Sequence, residues 1–315
     1  MGSLPRCFTF RYLSLSLLSV VVSISISVSA FVQASSRDEL TVLIPADVQK
    51  DVRLFLALAG RDILEVKNFS GPYGRRDVAE IILFYQALYL GGYRGRIREL
   101  LVPVGSYAKV GVMLRQGRVA LVGNTAWLVA INAQDADIWV TAALIKDGEF
   151  SAGIYTRADR VQSLKSQLLH QRDRLSAVST QYWPVDWREL QRLNLRHVYE
   201  REKWRDMVSM VTAGKVDFLL APFKRPLTEG MDVGEQHLYP VEGVKLTLPG
   251  SRHWVASKRH PMGGVGFVFL QRGLRALQKL GRIKRAYQQV GFITTEVENW
   301  IDLYQPPKKE PAPQE

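Results

Sequence analysis

A ten-residue unit occurs twice in this chain and limits the possible folds more than any other feature. Met113-Leu-Arg-Gln-Gly117-Arg-Val-Ala-Leu-Val122 is echoed ninety-seven residues later by Met210-Val-Thr-Ala-Gly214-Lys-Val-Asp-Phe-Leu219. Each copy reads as a helix stopped by glycine, which takes the left-handed conformation of a helix end at little steric cost, and then a buried strand. Tyr107, Val110 and Leu114 mark the apolar helix face in the first copy, and Trp204, Met207, Val208 and Val211 mark it in the second. Helix, glycine stop and strand in that order predict an α/β sheet with helical crossovers. The offset is too long for a solenoid, whose period is about 20 to 50 residues, so the repetition predicts two similar α/β lobes.

The 315 residues suffice for two such lobes, and 47% hydrophobic against 23% charged residues is a globular composition. The formal net charge of +12 raises nucleic acid or an anionic surface as partners. The arginines, however, are dispersed over many elements and interleaved with acids, the pattern of a solvated surface and not of a phosphate-tracking stripe. No nucleic acid is expected.

The first 34 residues read as a secretory signal peptide. Arg6 and Arg11 precede an uncharged run from Tyr12 to Ala34 that ends in the small-residue pattern Val32-Gln33-Ala34. Cleavage near Ala34 would export the chain to the periplasm and remove Cys7, the only cysteine. Disulfides, thiolate metal sites and cysteine nucleophiles are then excluded together. At the other end, Pro306 to Glu315 carries four prolines and several charges and reads as a disordered tail.

Between these ends, Leu40 to Pro45 is a strand-like run, and Val78, Ile81, Ile82 and Tyr85 recur at helical spacing. Val119 to Val122 reads as a strand. Asp137 to Ile145 and Phe150 to Tyr155 read as extended runs about a turn at Asp147-Gly148, and Val244 to Ser257 as a second extended passage broken at Pro249-Gly250. Gly266 to Leu280 is helical, with Phe267, Leu270, Leu274 and Leu277 on one face, and a last helix runs on to Val290.

This order resembles the type II periplasmic solute-binding proteins, the two-lobed receptors of the amino-acid-binding superfamily. The resemblance covers roughly residues 38 to 300. It rests on the paired Met-x-x-x-Gly-[Arg/Lys]-Val units, on Gly153-Ile-Tyr-Thr-Arg157, on Ser257-Lys-Arg-His-Pro261, and on Gly273-Leu-Arg-Ala-Leu277 with Gly281-Arg-Ile283. It implies an α/β fold of two lobes, each a mixed sheet flanked by helices, joined by two hinge crossovers. The expected divisions are 38–146 for the first part of lobe 1, 147–248 for lobe 2, 249–303 for the return to lobe 1 and 304–315 for the tail. A ligand would bind between lobes that close on it. The chain is an atypical member by this reading. Amino-acid receptors place an arginine after the lobe 1 strand and an aspartate at the lobe 2 strand end, whereas here those places read Gly123-Asn124-Thr125-Ala126-Trp127 and Ala221-Pro222-Phe223. A zwitterionic α-amino acid is therefore not supported.

Ligands of α/β lobes lie beyond the carboxyl ends of the strands, against loops and helix N-termini. The loops so placed nominate Ala46 and Asp47, Asn124, Thr125 and Trp127, Ser179, Thr180 and Tyr182, and Pro222 and Phe223. Ser179 and Thr180 either bind ligand or cap the helix that begins near Pro184. Trp127 and Tyr182 either stack on a ligand ring or pack as ordinary core and rim aromatics. Tyr73 and Arg75 belong to a turn-rich stretch that could rim the cleft; Arg75 or Arg76 would supply the missing cation, or else be a solvated surface arginine.

Catalysis finds no motif. His170, His197, His237, His253 and His260 lack metal-ligand spacing, and no Gly-x-Ser-x-Gly elbow, phosphate-binding glycine loop or His-Glu-x-x-His occurs. No cofactor and no metal are expected. The sequence thus predicts a monomeric, non-enzymatic solute-binding protein that presents a small-molecule ligand to a membrane transporter permease or a sensor. The alternative is a periplasmic interaction protein that kept the fold and lost the ligand.

Overall fold

The computed structural model describes residues 39–103, 107–131, 135–224 and 226–304. The expected signal peptide, Arg225 and all but the first residue of the expected tail lie outside them. The chain opens with β1 (Leu40–Pro45), α1 (Ala46–Ala59), α2 (Arg76–Gly91), β2 (Ile97–Val102), α3 (Tyr107–Arg115), β3 (Leu121–Val122), β4 (Ala126–Trp127), α4 (Leu128–Ile131) and β5 (Ile138–Val140). It continues with β6 (Ser151–Thr156), α5 (Val161–His170), β7 (Ser176–Ser179), α6 (Pro184–Arg192), β8 (His197–Glu200), α7 (Trp204–Thr212), β9 (Phe218–Ala221), β10 (Met231–Val233) and β11 (Gln236–Thr247). Last come β12 (Arg252–His253), β13 (Val255–Ser257), α8 (Gly263–Lys279), α9 (Arg282–Gln289) and β14 (Ile301–Asp302).

Two main sheets result. One has the order β2-β1-β3-β13-β5, and the other β10-β11-β6-β9-β7-β8 with β14 beside β11. Both are mixed: β1 runs parallel to β2 and β3, while β13 runs antiparallel to β3 and β5. The repeated unit occupies equivalent places, since β3 and β9 each lie inside a sheet. Gly117 and Gly214 have φ of 66° and 69°. The same closing bond follows each, from Arg118 N to Met113 O and from Lys215 N to Met210 O, both 2.9 Å.

The chain leaves the first sheet after β5 and returns after β11, and the two crossings touch. Leu144 N donates to Arg252 O and Arg252 N to Ile145 O, each at 2.9 Å, and β12 pairs antiparallel with β4. These contacts make the hinge. The run expected to be extended from Asp137 to Ile145 is strand only at Ile138–Val140, bends at Ala142 and Leu144, and pairs again at Ile145. The passage expected over Val244 to Ser257 starts earlier, at Gln236, and its register on β6 shifts between Pro240 and Lys245, where Gly243 has φ of 84°. The strand expected from Val119 pairs as a ladder only at Leu121–Val122. The return expected over 249–303 describes β13, α8 and α9, but Ile301–Asp302 joins the second sheet, parallel to Val244–Lys245.

Helices α2 and α8 are packed closely at two glycines. A Cβ on Gly273 would overlap the Ala87 carbonyl oxygen, and one on Gly91 would overlap that of Phe269. This close approach buries α2 nearly all round, from Val78 to Leu88. The apolar core then runs from one lobe to the other, where the Phe150 and Phe292 rings stack at 4.1 Å and Trp127 lies 6.1 Å from Phe150.

Candidate functional site

Because α2 is buried, so is Glu80, with no exposed surface. A buried carboxylate must find donors, and this one has several. Thr125 Oγ1 donates to Glu80 Oε1 at 2.6 Å, Thr125 N and Asn124 Nδ2 donate to Oε2 at 3.0 and 3.3 Å, and Tyr287 OH donates to Oε1 at 3.3 Å. Arg252, on the returning hinge strand, lies 3.7 Å away as an ion pair. Arg252 also donates from Nε to Thr125 Oγ1 at 2.9 Å and from NH2 to Thr125 O at 2.8 Å, with its guanidinium 5.0 Å from the Trp127 ring centre. Burial lowers the pKa of Arg252 and the Arg76 charge adds to this, while Glu80 opposes both. Burial and the Glu80 charge push the Tyr287 phenol well above its ordinary value.

The opposite lobe contributes Asp186, in the first turn of α6. Burial pushes its carboxyl up to about 6, against its own backbone N–H and the charges of Arg76 and Arg252, which pull the other way. Asp186 thus lies near enough to Arg76 and Arg252 for their charges to act on it, which brings the second lobe up to this cluster. Arg76 pairs with Asp77, lies 3.9 Å from Glu80 and sits over the Phe292 ring at 5.3 Å. Burial disfavours the charge of Asp77, but Arg76 and Arg75 outweigh it and hold the carboxyl below its ordinary value. One atom in this cluster is unsatisfied: Asn124 Oδ1 is buried and has no hydrogen-bond partner among the described residues.

The sequence-nominated residues fall into three groups. Asn124, Thr125 and Trp127 belong to the cluster, with Trp127 packed as a buried aromatic. Arg75 is spent on carboxylates, at 2.9 Å from Asp51, 2.6 Å from Asp77 and 3.4 Å from Asp47, beside the exposed Ala46 and Tyr73. In the second lobe Ser179 and Thr180 are buried and Tyr182 is half exposed. Neither hydroxyl caps α6, whose N-cap is Trp183 with no side-chain bond; Thr180 Oγ1 instead accepts from Tyr182 N at 3.3 Å. Pro222 O accepts from Tyr155 OH at 3.2 Å, and Phe223 is buried edge-on to Trp300 at 5.4 Å, so these two serve the second lobe's own packing. Sequence reasoning missed Glu80, Asp186, Arg252 and Tyr287. Glu80 had a signal, a charge inside the apolar run Val78 to Leu88; Arg252 had none near it.

No protein-family model matches the sequence, and no curated protein sequence does. Solved structures do match. The periplasmic VFT2 domain of BvgS from Bordetella pertussis aligns over 81% of this chain and 93% of its own, with a TM-score of 0.51 at 13% identity. The fold is that of a type II periplasmic binding protein. AncCDT-1, an ancestral amino-acid-binding protein and precursor of cyclohexadienyl dehydratase, aligns over 81% of this chain and 96% of its own, with a TM-score of 0.50 at 12% identity. A periplasmic His/Glu/Gln/Arg/opine family-binding protein from Silicibacter pomeroyi, in complex with lysine, aligns over 80% and 96% with a TM-score of 0.50 at 12% identity. Within the periplasmic-binding-protein fold, the Glu80 cluster lies at the junction of the lobes. No helix among the described residues is long and apolar enough to cross a membrane.

Proposed function

We propose that this chain is an exported solute-binding protein without catalytic activity, which captures a small molecule between its lobes by closing on it and presents it to a membrane transporter or sensor. The observation that carries the reading is the approach of Asp186 from one lobe to Arg76 and Arg252 of the other lobe and hinge, beside a polar cluster in which Asn124 Oδ1 has no hydrogen-bond partner among the described residues. A buried acceptor without a partner costs about 1–3 kcal/mol, which a guest offering an N–H or O–H donor recovers. Contacts from both lobes exist only in the closed state, so binding shifts the open–closed population by its differential affinity.

A second reading has its own support. The Glu80–Thr125–Arg252 bonds are internally complete and the Phe150–Phe292 stack ties the lobes together, as an interaction protein that no longer needs a ligand would allow. A thermal-shift screen of the purified protein against acids, amines, sugars and aromatic metabolites separates the two. Saturable stabilisation by one class, weakened by Asp186→Asn and Tyr182→Ala, supports the receptor; silence across the panel overturns it in favour of the interaction protein.

A further inference from the structure

Away from the cleft, the first lobe holds a cavity of about 440 Å³ between α1, the Arg61–Ile63 turn, α2 and the edge strand β2. That volume is within the range of small-ligand sites. Gln49, Val52, Arg53 and Leu56 line it from one face of α1, at positions i, i+3, i+4 and i+7. Val52, Leu56, Ile63 and Ile97 make apolar walls. Inside stands Glu99, which accepts from Tyr85 OH at 2.5 Å and from Gln49 Nε2 at 2.6 and 2.5 Å. Both donors are neutral, and no cation pairs with Glu99 among the described residues. Burial first, then the bond to Glu99, raises the pKa of Tyr85, so the phenol stays a donor. Gln49 is only 8% exposed, and its Oε1 is buried without a hydrogen bond among the described residues. Turning the amide round would set its oxygen against the carboxylate, so the unpaired acceptor is a property of the site. Arg53, Arg61 and Asp62 stand at the mouth.

We propose that this cavity is a binding site, distinct from the interlobe cleft, for a small primary amine with an apolar body, its ammonium on Glu99 and its body along Val52, Leu56, Ile63 and Ile97. A carboxylate supplied with neutral donors only has no counter-charge, and an ammonium brings that charge together with three donors. The proposal does not depend on how the cleft is used.

The test is calorimetric titration of the purified protein with phenethylamine and with 2-phenylethanol, its neutral counterpart. The expected result is saturable binding of the amine, at least about tenfold tighter than the alcohol. Glu99→Gln lowers amine affinity at least about tenfold, to the level of the alcohol. Leu56→Trp, which fills the cavity, abolishes binding, and Asp186→Asn in the cleft leaves it unchanged. Absence of saturable heat, equal affinity for amine and alcohol, or loss of binding in Asp186→Asn overturns the assignment. The comparison on the unaltered protein decides the charge requirement even if a variant fails to fold.

Discussion

Glu80 and Arg252 form a buried pair of opposite charges 3.7 Å apart. Removing one partner of a buried pair leaves the other uncompensated and typically costs about 3–5 kcal/mol. Arg252→Met is expected to destabilise the protein by roughly that much in urea unfolding. Glu80→Leu combined with Arg252→Met is expected to cost clearly less than the sum of the two single changes; strict additivity would deny the coupling. Asp186 makes a prediction of opposite kind. Its carboxyl is raised from the ordinary 3.8 to about 6 in the folded chain, so between these values the folded state holds a proton that the unfolded state has released. That contribution is complete below pH 4 and is lost as pH rises through 6. Relative to Asp186→Asn, the unaltered protein is therefore expected to lose ~1–3 kcal/mol between pH 4 and pH 7. A relative gain over that window would contradict the burial-dominated environment.

At the scale of elements, the glycines of α8 do the positioning. Gly273 sits against the Ala87 carbonyl and Gly266 against Leu40 and Leu121, so α8 lies directly on α2 and on the first sheet. Gly273→Ala is expected to force the helices apart and cost about 1–3 kcal/mol or more by overpacking, visible as a fall in melting temperature; an unchanged value would mean the helices have room to separate. The glycine stops at 117 and 214 were legible from the chain because a left-handed helix end is a local demand of the backbone. The same is true of β1 and of Pro184 at the start of α6. Strand extents were less legible, since β3 and β5 end where a partner strand ends, and partners come from distant sequence. The site was less legible still. Asn124 and Thr125 were nominated by their place after a strand, but their partners Glu80 and Arg252 arrive from α2 and the hinge, Tyr287 joins Glu80 from α9, and no local pattern links those three. Thr180 and Phe223 lie just past the ends of β7 and β9, in the loops the sequence nominated, yet their side chains are buried in the second lobe's own packing.

For the whole molecule, the account is of two lobes around a hinge whose crossings bond each other at Ile145 and Arg252, with the polar cluster at the hinge and aromatic packing beyond it. A receptor needs that junction to open; an interaction protein does not. Pulsed electron spin resonance between labels on the two lobes measures this most directly. The sequence favours it, because Cys7 is the sole native cysteine and Val265 and Glu202 are exposed positions on opposite lobes. With Cys7→Ser, Val265→Cys and Glu202→Cys, the free protein is predicted to show two distance populations that collapse to one when a stabilising small molecule saturates it. A single distribution, identical with and without that molecule, would contradict capture by closure.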